Sequence, residues 1–193
     1  MANIGLRNAK YNLLDYETNK YKTLANSTVP VIGKMIDASL TEDRNDTSLF
    51  ADDSLAEYDN SFKSGTITIT LADVDDKTYA ELKGCVISEG EVTENDENTS
   101  PEIGYGHIVT KMVNGERKYK VEFLPRIRVT KITGDAKTKG ENIEFGTISL
   151  EGKVMSLKDS FNGLQRGDWR KIKTFGTVTE AQSYLDGLLT PVA

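Results

Sequence analysis

The sequence predicts an antiparallel β fold with minor α content, and three observations carry that reading. Residues 66–71, TITITL, alternate strictly, with Ile67, Ile69 and Leu71 on one face and Thr66, Thr68 and Thr70 on the other. A period of two marks a strand with one buried face. The same period returns in KYKVEF and RIRV, on Tyr119, Val121, Phe123, Ile127 and Val129. Helical patterning is confined to two stretches, one short and internal, one terminal, which is the order of a mainly β chain.

Each element has a local reason. Burying Ile67, Ile69 and Leu71 contributes about 1.5 to 3 kcal/mol per side chain, so that face turns to a core. DVDDKTYAELKG opens on aspartates, sets Tyr79 and Leu82 three apart and stops at Gly84, as a short helix does. Pro125 interrupts the KYKVEF and RIRV pair and requires an edge position or a bulge. In NIEFGTISLEGKVM the apolar parity changes from Ile143 and Phe145 to Ile148, Leu150 and Val154, with Gly146 at the changeover, so a bulge is expected there. TEAQSYLDGLL sets Thr179 and Gln182 at capping-box spacing and Ala181, Tyr184, Leu185 and Leu188 on one stripe. Two polar segments, residues 41–61 and 88–106, fit neither period and are expected to be long excursions.

The totals narrow the function. A chain of 193 residues makes one domain. Its net charge of −6 argues against a nucleic-acid reader. The charge is segregated: acids dominate from Asp37 to Glu102 and bases from Lys111 onward. Chance unevenness on a solvated surface is one reading, and a head-to-tail oligomer in which an acidic face meets a basic one is the other. A single cysteine, Cys85, excludes a disulfide framework and fits a reducing cytoplasm; following a helix end, it reads as a small buried apolar residue. The N-terminus lacks a secretory pattern, and no apolar run reaches membrane-spanning length.

Catalytic signals are missing. The one histidine, His107, has no nucleophile motif around it and reads as structural. One Cys and one His make no zinc site. DVDDKTYAE has the acids of a calcium loop, but Lys77 stands where a ligand belongs and the central glycine is missing. GYG and LQRGDW match no nucleotide-binding motif and read as turns. No cofactor, no metal and no enzymatic activity is expected.

The order of the pieces is more specific than any one of them. NIGLRNAKYNLLD, IGKMIDASL, LFADDSLAEYDNSFKSGTITITLADVDD, PEIGYGHIV, YKVEFLPRIRV and KTKGENIEFGTISLEGKV, spanning residues 3–154, resemble the major tail proteins of long-tailed bacteriophages of Gram-positive hosts. The resemblance implies a tail-tube fold, an antiparallel β-sandwich or barrel with a flanking helix and long loops. It divides the single domain, 1–193, into a tube body to about residue 155 and a C-terminal extension, 156–193, with a terminal helix. It implies a virion protein made in the host cytoplasm that assembles with itself into rings of six stacked as a hollow tube. Its partners would be a tape-measure protein, a tail terminator and baseplate or distal tail proteins. DNA would pass transiently through the tube, and the subunit would not insert into a membrane. Contractile tails, tailocins and type VI-like secretion tubes are the nearest alternatives, and a small ligand-binding β domain a distant one. On this reading Leu49, Phe50, Asp52, Asp53 and Glu57 form a self-assembly interface, and Thr66, Thr68 and Thr70 face the lumen. A small-polar, acidic wall suits passage, because each cation on a phosphate adds affinity.

Overall fold

The computed structural model describes residues 2–24, 28–51, 54–135 and 146–191. Among the described residues, twelve strands and two helices follow in chain order. The strands are β1 (Ala2–Leu13), β2 (Val31–Gly33), β3 (Met35–Arg44), β4 (Thr47–Ala51), β5 (Ser54–Asp59) and β6 (Phe62–Leu71). After helix α1 (Asp76–Lys83) come β7 (Val86–Ser88), β8 (Glu91–Thr93), β9 (Glu102–Val113), β10 (Glu116–Gly134), β11 (Ile148–Val154), β12 (Lys171–Phe175) and helix α2 (Val178–Leu189). The main sheet is antiparallel throughout, in the order β2-β1-β9-β10-β11-β6-β3, with β12 added to β10. The mainly β antiparallel architecture is the one the alternating sequence predicts.

The sheet curls around its own core. Cα atoms of β1 and β3 come within 8 Å, although four strands separate the two along the path. Inside lie Tyr11, Ile67, Ile69, Leu71, Ile103, Tyr105, Ile127, Leu150 and Val154, all essentially inaccessible. Leu82 of α1 plugs one end of this core, and the Tyr11 hydroxyl donates to Glu81 at 2.7 Å. A second core lies on the outside of β9 and β10. There Ala181, Leu185, Leu188 and Leu189 of α2 pack over Ile108, Val121 and Phe123. Residues after 155 thus contribute a strand, a helix and Leu157 and Leu164 to buried structure.

Pro125 is resolved as a bulge within a central strand, not as an edge. The β9–β10 register shifts between Leu124 and Ile127, so Val121 and Phe123 face α2 while Ile127 and Val129 face the inner core. The bulged backbone is satisfied: Tyr21 Oη donates to the Pro125 carbonyl at 2.8 Å, and Met155 N to that of Arg126 at 3.0 Å. In β11, Ile148, Leu150 and Val154 share one parity, as read, whereas Ile143 and Phe145 lie outside the described residues.

Several expectations are corrected. Residues 41–61 form no irregular excursion: β3 runs into the β4–β5 hairpin and returns as β6. Residues 88–106 supply β8, which pairs with β7 across Glu89 and Gly90, both at positive φ, and most of them before β9 remain loop. Helix α1 buries Thr78, Ala80 and Leu82 and leaves Tyr79 half-buried, hydrogen-bonded to Glu94. The capping box of α2 is Thr177 with Glu180, two residues before the Thr179 and Gln182 pair, because the helix begins at Val178.

Candidate assembly surfaces

One long ribbon builds the first surface. β3 and β6 pair from Met35–Leu71 to Arg44–Phe62, and Asn45 N donates to the Ser61 carbonyl at 2.9 Å, which carries the pairing on into β4 and β5. The base of the extension is pinned. Phe62 stacks on Trp169 with centroids 4.1 Å apart, and Arg170 reaches Glu42 at 3.4 Å. Beyond it every described residue of β4 and β5 is exposed.

Register assigns the hairpin two unlike faces. Phe50 lies opposite Leu55 and Ser48 opposite Tyr58, so Phe50, Leu55 and Tyr58 share a face at 69%, 55% and 54% exposure. Leu49 lies opposite Glu57 on the other face, between the Thr47 and Asp59 pair and the tip. The two apolar residues that stand together in the sequence as interface anchors are therefore separated, and Leu55 and Tyr58 join Phe50 instead. Asp52 and Asp53 lie outside the described residues. A contiguous apolar face on a thin two-stranded ribbon has no core to join within its own chain, and such faces mark contact with another molecule.

The second surface is the outer face of β3, β6, β11 and β10. Thr66, Thr68 and Thr70 are half-buried on it, opposite in facing to the buried Ile67, Ile69 and Leu71. Their cross-strand neighbours are Thr41 and Lys153, Ser39 and Glu151, and Asp37 and Ser149. Arg128, Lys131 and Thr133 continue these rows onto β10. Neither helix covers this face: α2 lies on β9, β10 and β12, and α1 turns Leu82 into the core behind it. The threonines thus belong to a four-stranded sheet face made wholly of polar side chains. Its acids, Asp37, Asp43 and Glu151, equal its bases, Arg128, Lys131 and Lys153, so the face is balanced and not acidic.

Part of the charge segregation along the chain is met within the fold. Asp43 meets Lys153 at 3.4 Å, and Glu42 meets Arg170. Glu102 accepts two bonds from Arg126, at 2.6 and 2.7 Å, and one from Arg128 at 2.9 Å. The Arg126 guanidinium, outweighing burial, holds the Glu102 carboxyl below its ordinary range. Antiparallel pairing thus brings Glu42, Asp43 and Glu102 of the acidic first half beside bases of the second half.

The remaining sequence candidates are structural. His107 is 5% exposed on β9, and burial pushes its imidazole down to about 4, with Lys120 and Arg170 nearby acting the same way and Glu122 opposing. Cys85 is half-buried, not buried, with the Asn98 amide 3.4 Å from its sulfur. Gly104 and Gly106 are not turn residues but strand residues of β9: a Cβ on Gly104 would stand 2.3 Å from the Tyr21 hydroxyl, and one on Gly106 2.4 Å from Leu185. Gly167, in LQRGDW, does sit in a turn at φ 93°. One signal went unused: Asn114–Gly115, both at positive φ, is the two-residue turn joining β9 to β10. Among the described residues no cluster of His, Cys, Asp or Glu could hold a metal, and no helix is long and apolar enough to cross a membrane.

No family model matches the chain, and no curated protein matches it. Among solved structures, the SPP1 tail tube, determined by solid-state NMR and cryo-EM, aligns with 84% of this chain and 78% of its own at 11% identity and a TM-score of 0.42. The tube-terminating cap of the anti-feeding prophage aligns with 81% of this chain and 93% of its own, at 11% identity and a TM-score of 0.44.

Proposed function

We propose that the chain is the subunit of a phage tail tube, a structural virion protein that associates with copies of itself into stacked rings around a channel for DNA. The observation that carries this reading is the β4–β5 hairpin, an ordered ribbon pinned at its base that holds Phe50, Leu55 and Tyr58 in solvent. A side chain set in that way is useful only when another molecule covers it, and for a tube protein that molecule is the next copy. The sequence resemblance over residues 3–154 supports the same reading.

The polar outer face of β3, β6, β11 and β10 is the wall this reading assigns to the lumen, with Thr66, Thr68 and Thr70 along its middle. Hydroxyls, with acids and bases in equal number, give a wet surface that offers DNA phosphates no net positive charge. The extension, residues 156–193, belongs to one domain with the tube body, since β12 and α2 share the cores of β9 and β10. Rings of six, and contacts with a tape-measure protein, a terminator and distal tail proteins, follow from the resemblance. A tube of a contractile tail, tailocin or type VI-like system would use the same surfaces.

Negative-stain microscopy of the concentrated protein tests the proposal. Rings or tubes support it; uniform small particles at every concentration overturn it.

A further inference from the structure

The inner face of the sheet changes character along β9 and β10. Inward residues of β9 run Ile103, Tyr105, His107 and Val109, and register sets Leu124 opposite Tyr105 and Glu122 opposite His107. The apolar core therefore gives way to polar side chains at His107 and Glu122. A cavity of about 410 Å³ opens there, lined by β1, β3, β6, β9 and β10. Its apolar lining is Leu6, Val109 and Ile67, with Ile36, Ala38 and Leu40 from β3. Two of these strands are bulged beside it. Ile4 is the extra residue between Asn3 and Gly5 in β1, and Ile36 is the extra residue between Met35 and Asp37 in β3. Bulges of this kind re-aim side chains next to binding sites.

The polar end of the cavity holds His107, Glu122 and Arg170. Its charges are already matched. Glu122 accepts from Arg170 at 2.7 Å and pairs with Lys120, and Arg170 also reaches Glu42 at 3.4 Å. Two bases thus face two carboxylates, and the remaining acid of the lining, Asp37, is exposed to solvent. Hydrogen bonding is what this end leaves open. Arg170 Nε and His107 Nδ1 are both buried and have no partner among the described residues. Two residues back on the same face, the buried Tyr105 hydroxyl has none either. Buried polar atoms are bonded in the great majority of cases, so unpaired ones gathered beside one cavity point to a polar group from another molecule. His107 is 5% exposed, and its burial keeps the imidazole uncharged at neutral pH, so Nδ1 is able to donate or to accept.

We infer that this cavity binds an uncharged, largely apolar small molecule that presents a carbonyl or hydroxyl oxygen to Arg170 and His107. The apolar lining covers the body of such a molecule, and a few fixed polar groups at one end orient it, which is how small-molecule sites are built. An anion would meet Glu122 with no spare cation to hold it, and a cation would meet Arg170 and Lys120. The inference goes beyond the tube reading and does not depend on it.

The test is titration of the unassembled protein with prodan, a neutral fluorescent ketone whose emission moves to the blue in apolar surroundings. A saturable blue shift with one site per chain is expected. Gly5→Phe fills the cavity from a position where an added Cβ meets nothing within 4 Å, so the fold tolerates it, and it should weaken prodan at least about tenfold. Ala38→Leu narrows the cavity from β3 and serves as the second filling variant, with thermal melts reporting the fold of each. Displacement of prodan by heptanophenone and by its hydrocarbon analogue heptylbenzene reads the polar end. Wild-type protein should prefer the ketone about tenfold, and His107→Phe should lower that preference about threefold or more, a ratio that a merely structural histidine would not move. Absence of a saturable shift, or a shift undiminished in both filling variants, overturns the site. Equal displacement by ketone and hydrocarbon overturns the role given to Arg170 and His107. Decanoate or decylamine displacing prodan better than the ketone shows that the cavity reads charge and overturns the ligand class. Each of these outcomes leaves the tube reading to the microscopy that tests it.

Discussion

Replacing Phe50 with Ser separates assembly from folding. A phenylalanine buries roughly 200 Å² when covered, and Phe50 is 69% exposed, so at most about 140 Å² remains for a partner to cover. At about 25 cal/mol per Å² the upper bound is about 3.5 kcal/mol, and incomplete coverage leaves roughly 2 to 3. Since 1.4 kcal/mol is tenfold, the critical concentration should rise about 30- to 150-fold. The monomer should be indifferent, within about 0.5 kcal/mol, because Phe50 packs on no core. Leu49→Ser is the internal control. Leu49 is 57% exposed but faces the other way, beside Glu57, and its loss should cost assembly much less. The assay is pelleting across a concentration series, with circular-dichroism melts of each monomer. Equal critical concentrations for wild type and Phe50→Ser would refute the hairpin as an interface. A lowered melting temperature would show that Phe50 serves the fold instead.

Thr68→Lys with Glu151→Gln, which removes the carboxylate opposite, should leave melting nearly unchanged, since both side chains lie on the polar face. Phage particles carrying the pair should build normal-length tails and release DNA slowly, and normal release would take this face off the channel. His107 predicts a pH dependence. Its folded-state value of about 4 lies below the ordinary 6.5, so the unfolded chain binds the extra proton first and stability falls as pH drops from 6.5 toward 4. The full loss is on the order of 3 kcal/mol. Urea midpoints at pH 7, 6 and 5 should fall more steeply for wild type than for His107→Gln, and parallel slopes would discount the histidine. Arg126→Met leaves the Glu102 carboxylate, at 9% side-chain exposure, with the Arg128 bond alone and should cost about 2 to 4 kcal/mol. Adding Glu102→Met should return most of that, and a double variant as unstable as the single would show that the backbone bulge, and not the charge, was lost.

Local pattern sufficed wherever one strand's own residues settle its facing. The alternation of residues 66–71 and the parity of Ile148, Leu150 and Val154 are visible in sequence, because side-chain direction in a strand repeats every two residues, whereas Pro125 marked an edge or a bulge without choosing between them. The glycine stop of α1 and the apolar stripe of α2 were legible for the same reason. The β4–β5 hairpin was not. Its register slips by one residue between Leu49 and Phe50, so its apolar side chains, at 49, 50, 55 and 58, obey no single period.

The sequence by itself determined that this is a mainly β chain, that Ile67, Ile69 and Leu71 are buried and that Thr66, Thr68 and Thr70 turn the other way. Tertiary structure alone decided which strands became neighbours. That choice put Leu55 and Tyr58 on the face of Phe50, made Gly104 and Gly106 seats for Tyr21 and Leu185, and set Glu42 and Asp43 against Arg170 and Lys153. Facing is a property of adjacent residues along one backbone. Neighbourhood depends on pairings between segments as far apart as Asp43 and Lys153, which no local period records.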